Sequence, residues 1–276
     1  MRENETVVHK EENRKKFVEH YKNMHILRKK SDALAIAHDC VRCIESEQLN
    51  SVWNELLPVL NERTSFQMLD VIGSKIGERA LSYKNKYLKF FDLLSAKKLM
   101  GGYVVIAQAL ISLLQDDCRD CFEKAKEYMI EGDEWYVCDT FGERVLGYAM
   151  IDHFDKARSL FRKFVYDENH WVRRSVGVAA HFFAKKCRDG KRDDKKAAEI
   201  LELLDLQICE RDIRIIKGIG WGLKTLGRYY PELLVSYMKT QISAKRISAV
   251  IIRKCVTYLD EVSRNEILQL YQSKKQ

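Results

Sequence analysis

The chain has 276 residues, 46% hydrophobic and 32% charged, with a formal net charge of +8. That balance excludes a disordered chain, and the length allows one extended domain or two ordinary ones, each with a real core. Only two prolines, Pro58 and Pro231, and 13 glycines interrupt abundant Leu, Lys, Glu and Ala, which predicts an all-helical protein.

The first stretch, MRENETVVHKEENRKKF, is highly charged without an apolar centre and is read as part of a charged N-terminal helix within residues 1–30, not as a signal peptide. Apolar residues at helical spacing predict helices over 11–28, 32–47, 49–63, 65–81, 84–95, 102–115, 118–131 and 134–150. The pattern continues over 153–165, 169–187, 194–204, 209–228, 231–240, 243–258 and 263–273, and no period-2 strand appears. The breaks EGDE, YDEN, CRDGKRDD and LGRYYP are polar or carry glycine, and Pro231 suits the first turn of a helix. The most apolar run, YVVIAQALISLL at 103–114, is too short to span a bilayer. No membrane is therefore expected among the partners.

Two Cys-x-x-Cys pairs, Cys40/Cys43 and Cys118/Cys121, fall within amphipathic helical patterns, and neither has a histidine at zinc-ligand spacing. Reduced thiols in an intracellular protein, with no metal, are the expectation. Charge is unevenly distributed. Residues 101–140 hold 3 Lys/Arg against 9 Asp/Glu, whereas 211–254 hold 10 against 2 and 171–200 hold 9 against 4. A basic C-terminal half suits a polyanionic partner, and a solvated face without a partner is the plainer alternative.

Paired helices of similar length suggest repeats. VRRSVGVAAHFF (172–183) and IRIIKGIGWGLK (213–224) share an Arg at the second position and a Gly at the sixth, 41 residues apart. IGERALSY (76–83) and FGERVLGY (141–148) agree at five of eight positions, but their 65-residue offset is not a multiple of 41. The expected fold is an all-α α-solenoid of stacked HEAT-like helical repeats with a concave basic face, formed by residues 1–276 as a single domain.

Chemistry-bearing residues cluster in the second half. DEWYVCDTFGERVLGY (133–148) places Trp135 and Asp139 one turn apart on one helix. An aspartate on a half-buried face is expensive unless something pairs with it, so the plain reading is a surface carboxylate capping a neighbouring helix, with Trp135 in the core. HWVRRSVG puts Trp171 and Arg174 on one face, and IKGIGWGLK surrounds Trp221 with Gly218, Gly220 and Gly222. Glycine inside a helix costs about 1 kcal/mol relative to alanine, so three around one indole imply tight helix packing or close approach of another backbone.

Together these three blocks, in this order and at these intervals, resemble the bacterial AlkD-type family of HEAT-repeat alkylpurine DNA glycosylases. Trp135 and Asp139 match the family's Trp-x-x-x-Asp, Trp171 and Arg174 its Trp-x-x-Arg, and Trp221 its Ile-Gly-Trp. The similarity spans roughly residues 65–260, is sharpest over 135–240, and reduces to helical character in the first 60 residues. EWYVCD has one tryptophan where some members have two.

The resemblance implies a hydrolase that excises positively charged N3- or N7-alkylated purines from double-stranded DNA without flipping the base. Asp139 would stabilise the cationic sugar and hold the attacking water, Trp135 and Trp221 would pack against the sugar, and Arg174 would grip a phosphate. Arg173, Lys185 and Lys186, with Arg188, Lys191 and Arg192, are candidates for further backbone contacts. No cofactor is expected, the chain is expected to act as a monomer, and its place is the cytoplasm at the nucleoid, or the nucleus in a eukaryotic cell. No lysine stands out as a Schiff-base nucleophile, so β-lyase activity is not expected. The alternatives are a non-catalytic HEAT-repeat nucleic-acid-binding protein and, third, a protein–protein scaffold.

Overall fold

The structure, a computed structural model, describes residues 26–61, 63–190 and 192–274. Every regular element among the described residues is helical, as the sparse breakers predict. The expected helix at 11–28 lies almost wholly outside the described residues. The described residues form two compact units that divide after Ala109.

The first unit contains α1 (Lys30–Glu45), α2 (Leu49–Leu56), α3 (Phe66–Ala80), α4 (Lys84–Ser95) and the start of α5 (Met100–Leu113). Pro58 ends α2 earlier than the apolar pattern alone suggests. It cannot donate to the preceding turn, and the chain tightens into a 3-10 turn at Leu57–Val59. Trp53 stacks on Phe90 at 5.4 Å between ring centroids, while Phe90, Phe91 and Tyr87 are buried among α1, α3 and α4. Cys40 and Cys43 are buried on α1. Burial, first of all, pushes the Cys40 thiol up to about 12, which leaves it protonated and unreactive.

The second unit takes over within α5 and adds α6 (Cys118–Gly132), α7 (Trp135–Phe141), a π-helical stretch (Gly142–Leu146) and α8 (Gly147–Asp152). It continues with α9 (Phe154–Phe164), α10 (His170–Lys185), α11 (Asp194–Asp205), α12 (Ile213–Tyr229), α13 (Pro231–Ala244), α14 (Ala249–Cys255) and α15 (Glu261–Ser273). Two rows result. The run from α7 to α8 packs on α10, α10 on α12 and α12 on α14, while α6, α9, α11, α13 and α15 form the second row in the same succession. This helical-repeat arrangement is the solenoid-type fold expected, within this unit.

Polar residues start these helices where the sequence breaks. Asp117, Asn169, Asp193, Asp212, Ser248 and Asp260 each accept a backbone N–H in the first turn of the helix that follows. Asp212 therefore sets the start of α12 at Ile213, later than the apolar pattern from 209 suggests. Ser248 likewise starts α14 at Ala249, and the residues at 243 and 244 close α13 instead.

The 41-residue repeat has a direct spatial meaning. Gly177 of α10 lies against Gly218 of α12, where a Cβ on Gly177 would come within 2.3 Å of the Gly218 carbonyl carbon. Any side chain here would force the two helices apart, so the repeated glycine is what lets α10 and α12 meet backbone to backbone.

Candidate active site

Asp133 closes α6 in the left-handed conformation (φ 47°), and Glu134 is extended, so α7 begins abruptly with Trp135. Trp135 is 57% exposed. Asp139, one turn later, points into the protein, its side chain 15% exposed. The plain reading of the sequence is thus reversed, with the tryptophan outside and the carboxylate inside.

The partner that a buried carboxylate requires is Arg174 of α10. Its Nε donates to Asp139 Oδ1 and its Nη2 to Oδ2, both at 2.9 Å, a bidentate pair. Its Nη1 donates to the carbonyl of Arg214 at the start of α12, also at 2.9 Å. Gly218 makes room for this side chain, since a Cβ there would stand 2.8 Å from Arg174 Cγ. Arg174, expected on a phosphate, is itself buried and committed to Asp139. Burial pushes the Asp139 carboxyl above its ordinary value, and the hydrogen bonds and charge of Arg174 draw it only partly back.

A second acid lies one helical turn beyond Asp139, on the π-helical stretch. Such bulges often re-aim side chains at functional sites. Glu143 Oε1 is 3.3 Å from His181 Nε2, and His181 Nδ1 is 2.7 Å from Thr225 Oγ1. Burial would raise the Glu143 carboxyl, but hydrogen bonding to His181 and the charge of Lys185 outweigh it and hold it below its ordinary value. The imidazole stacks on Trp221, ring centroids 4.1 Å apart and planes 24° from parallel. Thr225 donates to the Trp221 carbonyl at 3.2 Å, so one face of the half-buried indole is fixed by His181 and its helix turn by Thr225.

Three neighbouring elements of one row, the run from α7, α10 and α12, thereby bring Asp139, Arg174, Glu143, His181 and Trp221 together, with Trp135 one turn from Asp139. Trp171 is different. It is buried, and its Nε1 donates to Asp133 at 2.8 Å, so it anchors the turn between α6 and α7. Cys138, beside Asp139 in sequence, donates its Sγ to the Trp171 carbonyl at 3.1 Å, and burial holds its thiol protonated. Of the other basic candidates, Arg173 is bound to Glu210 at 3.0 Å, and Lys185 sits in the field of Glu143. Lys186 lies over the rings of Tyr148 and Phe182 at 5.4 Å from each. Lys191 lies outside the described residues.

Glu143 and His181 are the residues that sequence reasoning missed. Their signal is helical spacing from the recognised residues: 139 to 143 is one turn, and 174 to 181 is two. Among the described residues no group of three or more metal-binding side chains gathers. Cys118 and Cys121 are buried on α6, and Cys121 donates to the Leu110 carbonyl.

Fold and site together define a helical-repeat protein with a buried carboxylate–guanidinium pair between two of its helices. Residues 95–259 match the model of the DNA alkylation repair enzyme family, more than half of the chain, and the protein belongs to that family. A solved structure described as a predicted DNA alkylation repair enzyme from Enterococcus faecalis has a similar fold, with a TM-score of 0.54 and 17% identity. That similarity covers 73% of this chain and 89% of the other. No curated protein matches the chain in sequence. Among the described residues no helix is long and apolar enough to cross a membrane.

Proposed function

We propose that the protein is a monofunctional DNA glycosylase that releases cationic N3- and N7-alkylated purines from duplex DNA, with Asp139 as the group that stabilises the reacting sugar. Alkylation at these nitrogens already makes the base a good leaving group. The barrier that remains is the positive charge developing on the deoxyribose as the glycosidic bond breaks. A carboxylate fixed in a poorly solvated setting interacts with such a charge far more strongly than it would in water. Asp139 is in that position, and Arg174 fixes both of its oxygens. It would also hold the water that attacks C1′.

Trp135 and Trp221 would present π-faces to the sugar. Trp135 is exposed at the start of its helix, and Trp221 has one face backed by His181. The exposed indole is the single observation that favours acting on DNA outside a closed pocket. A tryptophan this exposed gains little by facing water, whereas a sugar–phosphate surface laid on it would cover it. Base release should therefore follow leaving-group ability. N3-methyladenine and N7-methylguanine should be freed, uracil and hypoxanthine left, and bulkier N7-alkylguanines tolerated.

The deciding experiment is single-turnover release of free base from methylated duplex DNA. Asp139→Asn should slow it by about two to three orders of magnitude, the usual effect of losing one such electrostatic group. Because Asn leaves Arg174 without its counter-charge, folding is checked by circular dichroism. Trp135→Ala, at an exposed position, should also slow release of every cationic base alike. Duplex binding without any base release would support the reading as a non-catalytic nucleic-acid-binding protein instead.

A further inference from the structure

A recess of about 620 Å³ opens in the second unit, and none of Trp135, Asp139, Arg174 and Trp221 lines it. Its walls are the turn between α11 and α12, the turn between α13 and α14, and the end of α15 with Lys274 just beyond. Among the described residues the lining holds four cations, Arg211, Lys245, Arg246 and Lys274, against one acid, Glu210. That acid is already committed. Glu210 Oε1 accepts the backbone N–H of Arg211 at 2.7 Å and of Asp212 at 3.1 Å, and Oε2 accepts Arg173 Nη1 at 3.0 Å. Lys245 is matched by Asp205 of α11 at 2.6 Å. The other three cations are not matched: among the described residues no carboxylate pairs with Arg211, Arg246 or Lys274.

The recess is also held in shape. Lys274 Nζ donates to the carbonyls of Ile242, Ser243 and Lys245 at 2.7, 2.8 and 3.2 Å, so its charge is fixed at the end of α13 without being neutralised. Tyr271 donates to the Ile247 carbonyl at 3.2 Å, and Ser248 caps α14, which ties the wall at 245–248 from both ends. Buried Ile216 and Ile247, with the half-buried Tyr271, add an apolar side to the lining.

We propose that this recess binds a nucleoside diphosphate, with Arg211, Arg246 and Lys274 on the phosphates and Tyr271, Ile216 and Ile247 against the nucleoside. The site stands apart from the glycosylase reading and does not depend on it. Like charges left around one recess repel each other and destabilise the compact state, and a bound polyanion removes that cost. Three unmatched cations suit a diphosphate better than a single carboxylate, and guanidinium groups take phosphate oxygens two at a time. The volume lies within the usual small-molecule range of about 300–1,000 Å³. A duplex presents its phosphates along a convex rod, whereas a walled recess with one apolar side takes a compact ligand.

The test is isothermal titration calorimetry of the full chain with adenosine diphosphate and, separately, with sodium pyrophosphate. Saturable binding of both is expected, the nucleotide being tighter because only it reaches the apolar side. Arg211→Ala and Arg246→Ala, both at exposed positions, should each weaken both probes by about tenfold, the usual effect of removing one charged hydrogen bond. The double variant should still bind duplex DNA and release base as the wild type does. No binding of either probe at millimolar concentration, or undiminished binding in the double variant, would overturn the proposal. Equal affinity for the two probes would overturn the nucleoside assignment. Displacement of the nucleotide by duplex DNA, with a matching loss of duplex affinity in the double variant, would assign these cations to the DNA surface and overturn it as well. Neither titration depends on base release, so this reading and the glycosylase reading can fail separately.

Discussion

Glu45–Arg79 in the first unit and Asp139–Arg174 in the second are the same chemical pair in opposite surroundings. The closest contacts are nearly equal, 2.8 and 2.9 Å. The first pair is wet, with side chains 30% and 41% exposed, and the second is dry, at 15% and 9%. The Glu45 carboxyl is held below its ordinary value, chiefly by its hydrogen bond to Arg79, whereas Asp139 is held above its own by burial. At Glu45 pairing decides the sign; at Asp139 desolvation outweighs it. A dry pair is the costlier arrangement, and replacing one by apolar side chains is often neutral or stabilising. Its presence therefore argues for use in chemistry more than for use in holding the fold.

The largest expected effect separates the two pairs by stability. Arg174→Ala leaves the Asp139 charge buried without compensation and should cost about 3–5 kcal/mol in denaturant unfolding. Arg79→Ala, at a wet site, should leave the unfolding midpoint almost where it was. Replacing Asp139 and Arg174 together by Leu and Met should recover most of the lost stability while base release stays absent. If Arg174→Ala proved no more damaging than Arg79→Ala, the dry pair would be as solvated as the wet one.

A smaller effect concerns pH. The role proposed for Asp139 needs its ionised form, so on that reading base release should fall as pH drops through a value above the ordinary aspartate 3.8. Arg174→Gln removes the charge that draws this value down, so the acid limb should move further toward neutrality. An unmoved limb in that variant, measured under single turnover, would mean that Arg174 does not act on Asp139 in the working enzyme.

The same contrast shows what a sequence can reveal. Helix existence was legible from the apolar spacing and the scarcity of breakers, whereas several ends were set by Pro58 and by the capping Asp212 and Ser248, which the apolar pattern alone does not weigh. The stacking of α10 on α12 was legible too, because Gly177 and Gly218 repeat at a fixed interval. The two GER segments show the limit. In IGERALSY, Glu78 sits on an ordinary α-helix and pairs with Lys75 across an exposed turn. In FGERVLGY, Glu143 sits on a π-helical stretch and faces His181 of another helix. Nothing local distinguishes them. Asp139 and Trp135 stand out in the sequence as a pair, but which of them is buried depends on Arg174, 35 positions away.

The smallest effect compares Asp139 with Asp212, an acid of the same unit that meets its arginine at the surface. Asp212 accepts the backbone N–H of Arg214 at 2.8 Å and the Arg214 Nη2 at 2.6 Å, capping α12. These bonds, the side-chain one first, lower its carboxyl to about 2. A lowered acid contributes stability that is fully present above its ordinary value of 3.8 and is lost as pH falls through about 2. A raised acid does the opposite. Protonation of Asp139 favours the folded state, so between 3.8 and its raised value its contribution falls as pH rises. Asp212→Ala should therefore cost about 1 kcal/mol at neutral pH, the usual cost of losing such a cap. Urea unfolding of the wild type and this variant should converge as the solution is acidified, because the protonated wild-type side chain no longer differs much from its absence. Curves that stay apart below the lowered value would show that the cap works through shape alone and that the charge on Asp212 contributes nothing.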